Sequence, residues 1–68
     1  MKISARNVLK GKITEVKKGQ TTTHVLIDVG EGLITSSITN EAVDELAVKA
    51  GSKVTVVIKA SDVMIATG

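Results

Sequence analysis

The 68 residues predict a mostly β protein: a small five-stranded barrel with one short helix between its third and fourth strands. Three observations predict it. Val, Ile and Thr supply 25 of the 68 residues, and β-branched side chains suit a pleated surface better than a helix. Polar, glycine-bearing breaks cut the chain into short apolar runs. Only one stretch, beginning at Thr39, carries apolar residues at helical spacing behind a capping side chain.

Lys10 to Val16 is the expected first strand, ended by Lys17-Lys18-Gly19-Gln20 as a polar turn. The second strand runs from Thr22 to Val29, with Val25, Ile27 and Val29 on one face and His24, Leu26 and Asp28 on the other. Gly30-Glu31-Gly32 is short enough to turn the chain back as a hairpin, so Leu33 to Thr39 becomes the third strand, with Ile34, Ser36 and Ile38 facing inward. The helix is expected from Thr39 to about Val48. Thr39 or Asn40 caps it, and Glu41, Asp44 and Glu45 lie near the positive end of its dipole. Val43, Leu46 and Ala47 form its buried stripe, and Gly51 stops it. Val54 to Ile58 and Val63 to Ala66 are nearly continuous apolar runs, which suits strands covered on both faces. Five strands with a helix in this place follow the order of a Greek-key barrel of the oligonucleotide/oligosaccharide-binding type. The alternative is an open β-meander completed by a partner subunit.

The length allows one domain, residues 1–68, and makes its stability a question. There is no cysteine, so neither a disulfide nor a thiolate metal site can staple so small a core. Oligomerisation is the remaining staple. No apolar run is long enough to span a bilayer and Met1-Lys2-Ile3-Ser4 has no secretory architecture, so the expected location is the cytoplasm, with no membrane partner.

Composition also bears on function. A net charge of +2 and the absence of Phe, Tyr and Trp leave no stacking platform for bases, so no nucleic-acid partner is expected. The alternative reading keeps the barrel and uses Lys10, Lys12, Lys17 and Lys18 as a phosphate-contacting strip. Catalysis is not expected: His24 is the only histidine, it lies mid-strand, and no carboxylate or thiol stands at a spacing that would make it a base.

Two segments concentrate donors and positive charge around small residues. Ser4-Ala5-Arg6-Asn7 and Lys59-Ala60-Ser61-Asp62 each supply one cation and one hydroxyl, and Ala5 and Ala60 allow a ligand close to backbone N–H groups. A third contribution comes from the helix start, where the N–H groups of Asn40, Glu41 and Ala42 are expected to point outward. A guanidinium, an ammonium, hydroxyls and amides together make a cage for a tetrahedral dianion.

These segments carry a resemblance. Ser4-Ala5-Arg6-Asn7, Gly11-Lys12-Ile13, Ile34 to Thr39 before Val43-Asp44-Glu45-Leu46, and Lys59-Ala60-Ser61-Asp62-Val63 resemble the molbindins, or Mop (molybdenum-pterin-binding) proteins, stand-alone members of the TOBE domain family. The likeness spans the chain in order. It implies a non-catalytic protein that binds molybdate, and tungstate, for intracellular storage or homeostasis, as a hexamer built as a trimer of dimers. The molybdenum is held as its oxyanion, with no protein atom on the metal and no organic cofactor. The implied site lies between subunits, with Ser4, Ala5, Arg6, Lys59, Ala60 and Ser61 from one chain and Thr39 and Ala42 from another. Two positions depart from the family pattern: Ala42 stands where many relatives have serine, and Ser37 replaces a common apolar residue.

Overall fold

The computed structural model describes all residues from Met1 to Gly68. Four strands and one helix follow in the order β1 (Asn7–Lys18), β2 (Thr22–Asp28), β3 (Leu33–Thr39), α1 (Asn40–Leu46) and β4 (Lys53–Ile58), with a short 3-10 turn at Ala60–Asp62. All pairings are antiparallel, in the order β3-β2-β1-β4. The expected fifth strand is absent. Val63 to Ala66 pairs with nothing in the chain, and β3 and β4 are left as open edges.

β1 is longer than the expected Lys10 to Val16, because it serves two neighbours in turn. Residues 7–12 pair with β4 and residues 12–18 with β2. Lys17 and Lys18, expected in the turn, are the last residues of the strand, and the turn closes instead with Gly19 N–H donating to Thr22 O at 2.8 Å. The ladder to β2 slips by one residue between Ile13 and Glu15, a β-bulge that inserts Thr14 and strengthens the local bend. Gly11 lies just before it, where the curled sheet closes in: an added Cβ would stand 2.6 Å from Ile27 Cγ2 and 2.9 Å from Asp28 O. Gly11→Ala is therefore expected to cost about 1–3 kcal/mol of overpacking, read from the urea midpoint at fixed protein concentration.

The β2–β3 hairpin matches expectation in its connection and its inward face. Val29 N–H donates to Gly32 O at 3.0 Å, and Asp28 Oδ1 accepts from Gly30 N–H at 2.8 Å, which holds Gly30 at φ 100. Val25 and Ile27 face inward with Ile34 and Ile38. Thr39 caps α1 as expected.

The end of α1 differs. Ala47, not Gly51, stops the helix, at φ 53 with its N–H on Asp44 O at 3.2 Å. The early stop lets Val48 turn back onto the core, while Leu46 is 65% exposed and Ala47 is also exposed, so Val43 alone of the expected stripe is buried. An L-residue with a Cβ is strained in the left-handed region, so Ala47→Gly should stabilise the fold by about 0.5–1 kcal/mol in the same urea assay.

β4 is covered on one face only, against the expectation of two. Val56 is buried and Val54 and Ile58 half-buried, while Val57 is 37% exposed, because nothing packs on the outer side of this edge strand. The core is correspondingly small: Ile13, Val25, Ile27 and Val56, with Val43 under the helix. Between β3 and β4 an apolar trough of about 170 Å³ opens over Ile13, Val25, Ile27, Ile38, Val54 and Val56. The chain exposes 5573 Å², about a third more than the roughly 4,100 Å² of a folded monomer of its mass. No helix is long and apolar enough to cross a membrane.

Candidate functional site

The β1–β4 ladder brings together the two segments that carry donors. Its last pair is Asn7 with Ile58, and Asn7 Nδ2 reinforces it by donating to Ile58 O at 3.2 Å. Immediately beyond lie Arg6 on one strand and Lys59 on the other, so Ser4-Ala5-Arg6 and Lys59-Ala60-Ser61 leave the sheet side by side although more than fifty residues separate them in sequence. Lys59 precedes the 3-10 turn and accepts from Asp62 N–H at 2.9 Å, while Ala60 O accepts from Val63 N–H at 3.2 Å. Ser4, Arg6, Lys59, Ala60 and Ser61 are exposed and Ala5 is half-buried.

The charges there are uncompensated. The single ion pair of the chain joins Lys18 Nζ to Asp44 Oδ1 at 3.2 Å, so Arg6 and Lys59 stand side by side without a carboxylate bound to either. None of the surface concavities includes Ser4, Arg6, Lys59 or Ser61. The group is an open array of donors rather than a cage.

Thr39 and Ala42 lie elsewhere. Thr39 pairs with Thr22, beside the turn that ends β1 at Lys18. Asn7, at the other extreme of β1, is eleven residue steps away, or roughly 35 Å of strand. One chain therefore does not bring the two groups together.

The helix start is also less open than expected. Asn40 N–H donates to Thr21 O at 3.0 Å, and Ala42 N–H donates to Thr39 Oγ1 at 3.1 Å. Of the three N–H groups expected to point outward, only that of Glu41 has no partner within the chain. The Thr39 hydroxyl accepts the cap bond and keeps its own O–H to donate. It borders a polar concavity shared with Gln20, Thr21, Asn40 and Glu41.

The lysine strip is divided. The bulge at Thr14 reverses the alternation of faces, so Lys10, Lys12 and Lys17 share the outer face of the sheet, with Lys53 opposite Lys12, while Lys18 lies on the other face and pairs at the surface with Asp44. Glu15 and Asp28 interrupt the same outer face, so it presents mixed charge and no continuous track for phosphates. His24 lies there too, paired with Lys17 and Ser37, with no partner that would make it a base.

Two asparagines take roles at the site other than those the sequence suggested, which were membership of the donor segment for Asn7 and a cap or free N–H for Asn40. Asn7 clamps the ladder at its donor end and Asn40 ties the helix start to the β1–β2 turn. The signal for Asn7 is an amide at the first ladder position; for Asn40 it is an amide beside a capping threonine, a place where side chains commonly bind nearby backbone.

Fold and donors together define a small β protein with two separated groups of exposed hydrogen-bond donors. The sequence pattern of the TOBE domain matches residues 3–65. "Molybdenum-pterin-binding protein 1" of Clostridium pasteurianum is 52% identical over 66 residues, covering 96% of this chain and 97% of that protein. A molybdate-binding protein from Sporomusa ovata superposes with a TM-score of 0.93 at 31% identity, over 98% of this chain and all of the other. The cytoplasmic molybdate-binding protein ModG, solved with molybdate bound, superposes with a TM-score of 0.89 at 40% identity, over 94% of this chain and 46% of its own. The chain belongs to the TOBE domain family, among its molybdenum-pterin-binding (Mop) members.

Proposed function

We propose that this protein binds molybdate, and tungstate with it, as a non-catalytic cytoplasmic store, in sites formed between copies of the chain. The observation that carries the proposal is the placement of donors: Arg6, Lys59, Ser4 and Ser61 gathered at one end of the sheet, and Thr39 at the other. Two cations match the two charges of the anion, and hydroxyls with the backbone N–H groups of Ala5 and Ala60 supply neutral donors for its four oxygens, while the Ala42 N–H is held by the Thr39 cap. Molybdenum enters as its oxyanion, so no protein atom need coordinate the metal. Related proteins named for molybdate binding support the choice of ligand.

Oligomerisation makes the site whole. The half-sites are separated by the length of β1 in one chain, and juxtaposing them in space takes a second. The exposed surface supports the same reading, because Val63, Met64 and Ile65 are 50%, 93% and 90% exposed beside a sheet with two open edges. An open sheet completed by a partner's apolar segment accounts for both. A single 68-residue domain assembled in this way as a trimer of dimers presents several copies of each junction.

Calorimetric titration of the intact protein with molybdate, tungstate and sulfate tests the proposal. Binding of the first two at micromolar concentration, with a defined number of anions per oligomer, is the expected result. No molybdate binding at that concentration would contradict it.

A further inference from the structure

The β1–β2 turn is fastened to the junction of β3 and α1 by hydrogen bonds that no anion would touch. Thr23 has no exposed surface and donates its hydroxyl to Asn40 Oδ1 at 2.6 Å. Asn40 Nδ2 donates to the carbonyls of Gly19 at 3.0 Å and Gln20 at 3.1 Å, and Asn40 N–H donates to Thr21 O at 3.0 Å. Every polar atom of the Asn40 side chain is engaged. The amide orientation follows from that, because only its NH2 can face two carbonyls.

We propose that Thr23 and Asn40 are positioning residues for the oxyanion site, holding the Thr39 hydroxyl where a neighbouring chain's Ser4, Arg6 and Lys59 meet it. This rests on the reading of Thr39 as half of that site. Thr39 is the last residue of an edge strand, paired only to Thr22, and its exposed side chain is held by one bond from Ala42 N–H. The next residue, Asn40, makes four hydrogen bonds to the neighbouring hairpin. A donor that must meet an anion across an interface gains affinity from being fixed beforehand. The Lys18 to Asp44 pair joins the same two segments, but it is solvent-exposed and adds little. Thr23 is uncharged and fully covered, so its hydroxyl touches no bound anion and acts through Asn40, to which it donates.

Thr23→Val preserves shape and removes the donated bond. The test measures molybdate affinity by calorimetry and stability of the anion-free oligomer by urea for the unaltered protein, Thr23→Val, Thr23→Ser, Asn40→Ala, Arg6→Ala and Ile27→Val. Ile27→Val trims the core at the far end of β2 and serves as a destabilised reference. Loss of one or more such bonds should raise the Kd about fivefold in Thr23→Val and about tenfold in Asn40→Ala. Thr23→Ser should restore the affinity, and Ile27→Val should leave it unchanged despite lower stability. If Thr23→Val does not fold, Asn40→Ala, altered at a half-buried position, carries the same comparison. Equal effects of Thr23→Val and Ile27→Val, or an unchanged Kd in Thr23→Val and Asn40→Ala while Arg6→Ala loses binding, would overturn the proposal alone. If Arg6→Ala also binds normally, the site reading itself fails and the proposal with it.

Discussion

Arg6→Ala is expected to weaken molybdate binding by roughly 10- to 150-fold, corresponding to the 1.5–3 kcal/mol of a charge-assisted hydrogen bond. The guanidinium stands next to Lys59 at the end of the β1–β4 ladder, and neither is neutralised by a carboxylate of its own chain. Two adjacent unpaired cations repel, and a bound dianion removes that cost while it gains both bonds. Removing one cation leaves the anion short of a partner in a junction from which water has been displaced. Arg6→Lys should recover part of the loss, because it restores charge without the planar fork. Calorimetry at constant ionic strength reads all three proteins. Unchanged affinity in Arg6→Ala would show that the anion binds elsewhere.

The second large effect concerns assembly. Replacing Met64 and Ile65 together by Asp should shift the oligomer to smaller species and abolish molybdate binding with it. These side chains are at least nine-tenths exposed on the isolated chain, and the trough between β3 and β4 is apolar and open. Burial of each against a partner is worth about 1.5–3 kcal/mol, so loss of both weakens association by roughly 3 kcal/mol or more. Native mass spectrometry across a concentration series checks it. An unchanged mass distribution would place the subunit contact away from this segment.

How far these features were legible depends on whether they are local. The β2–β3 hairpin follows from Gly30-Glu31-Gly32 and the alternation around it, and the start of α1 follows from Thr39, since a cap needs only its next three residues. The end of α1 was hidden, because Ala47 is a good helix former that adopts the left-handed conformation as the chain turns Val48 onto the core. The bulge at Thr14 left only a faint mark: Thr14 and Glu15 are two polar residues in a row between Ile13 and Val16, and only the partner strand shows that this break is one extra residue. That residue divided the expected lysine strip.

The expected fifth strand failed for a different reason. Val63 to Ala66 has the composition of a strand, but a strand exists only where an edge receives it, and none in the same chain does. At the site, chain order showed which residues are donors, and the antiparallel register then explained why residues 4–6 and 59–61 meet. The blocked N–H group of Asn40 could not be anticipated, since it is taken by Thr21 O in a distant turn, whereas that of Ala42 follows from the Thr39 cap.

The claim that each site is shared between chains is tested most directly by mixing two variants that are each impaired in binding. Arg6→Ala removes a cation from one half-site. Thr39→Asp puts a carboxylate into the other while it preserves the cap on Ala42. After co-refolding at equal amounts, random assembly should give about a quarter of the junctions an unaltered Arg6 from one chain and an unaltered Thr39 from the next. Molybdate binding should return at about that fraction, with the affinity of the unaltered protein. If the mixed oligomers form and still bind no molybdate, the two half-sites do not meet across chains and the shared site is wrong.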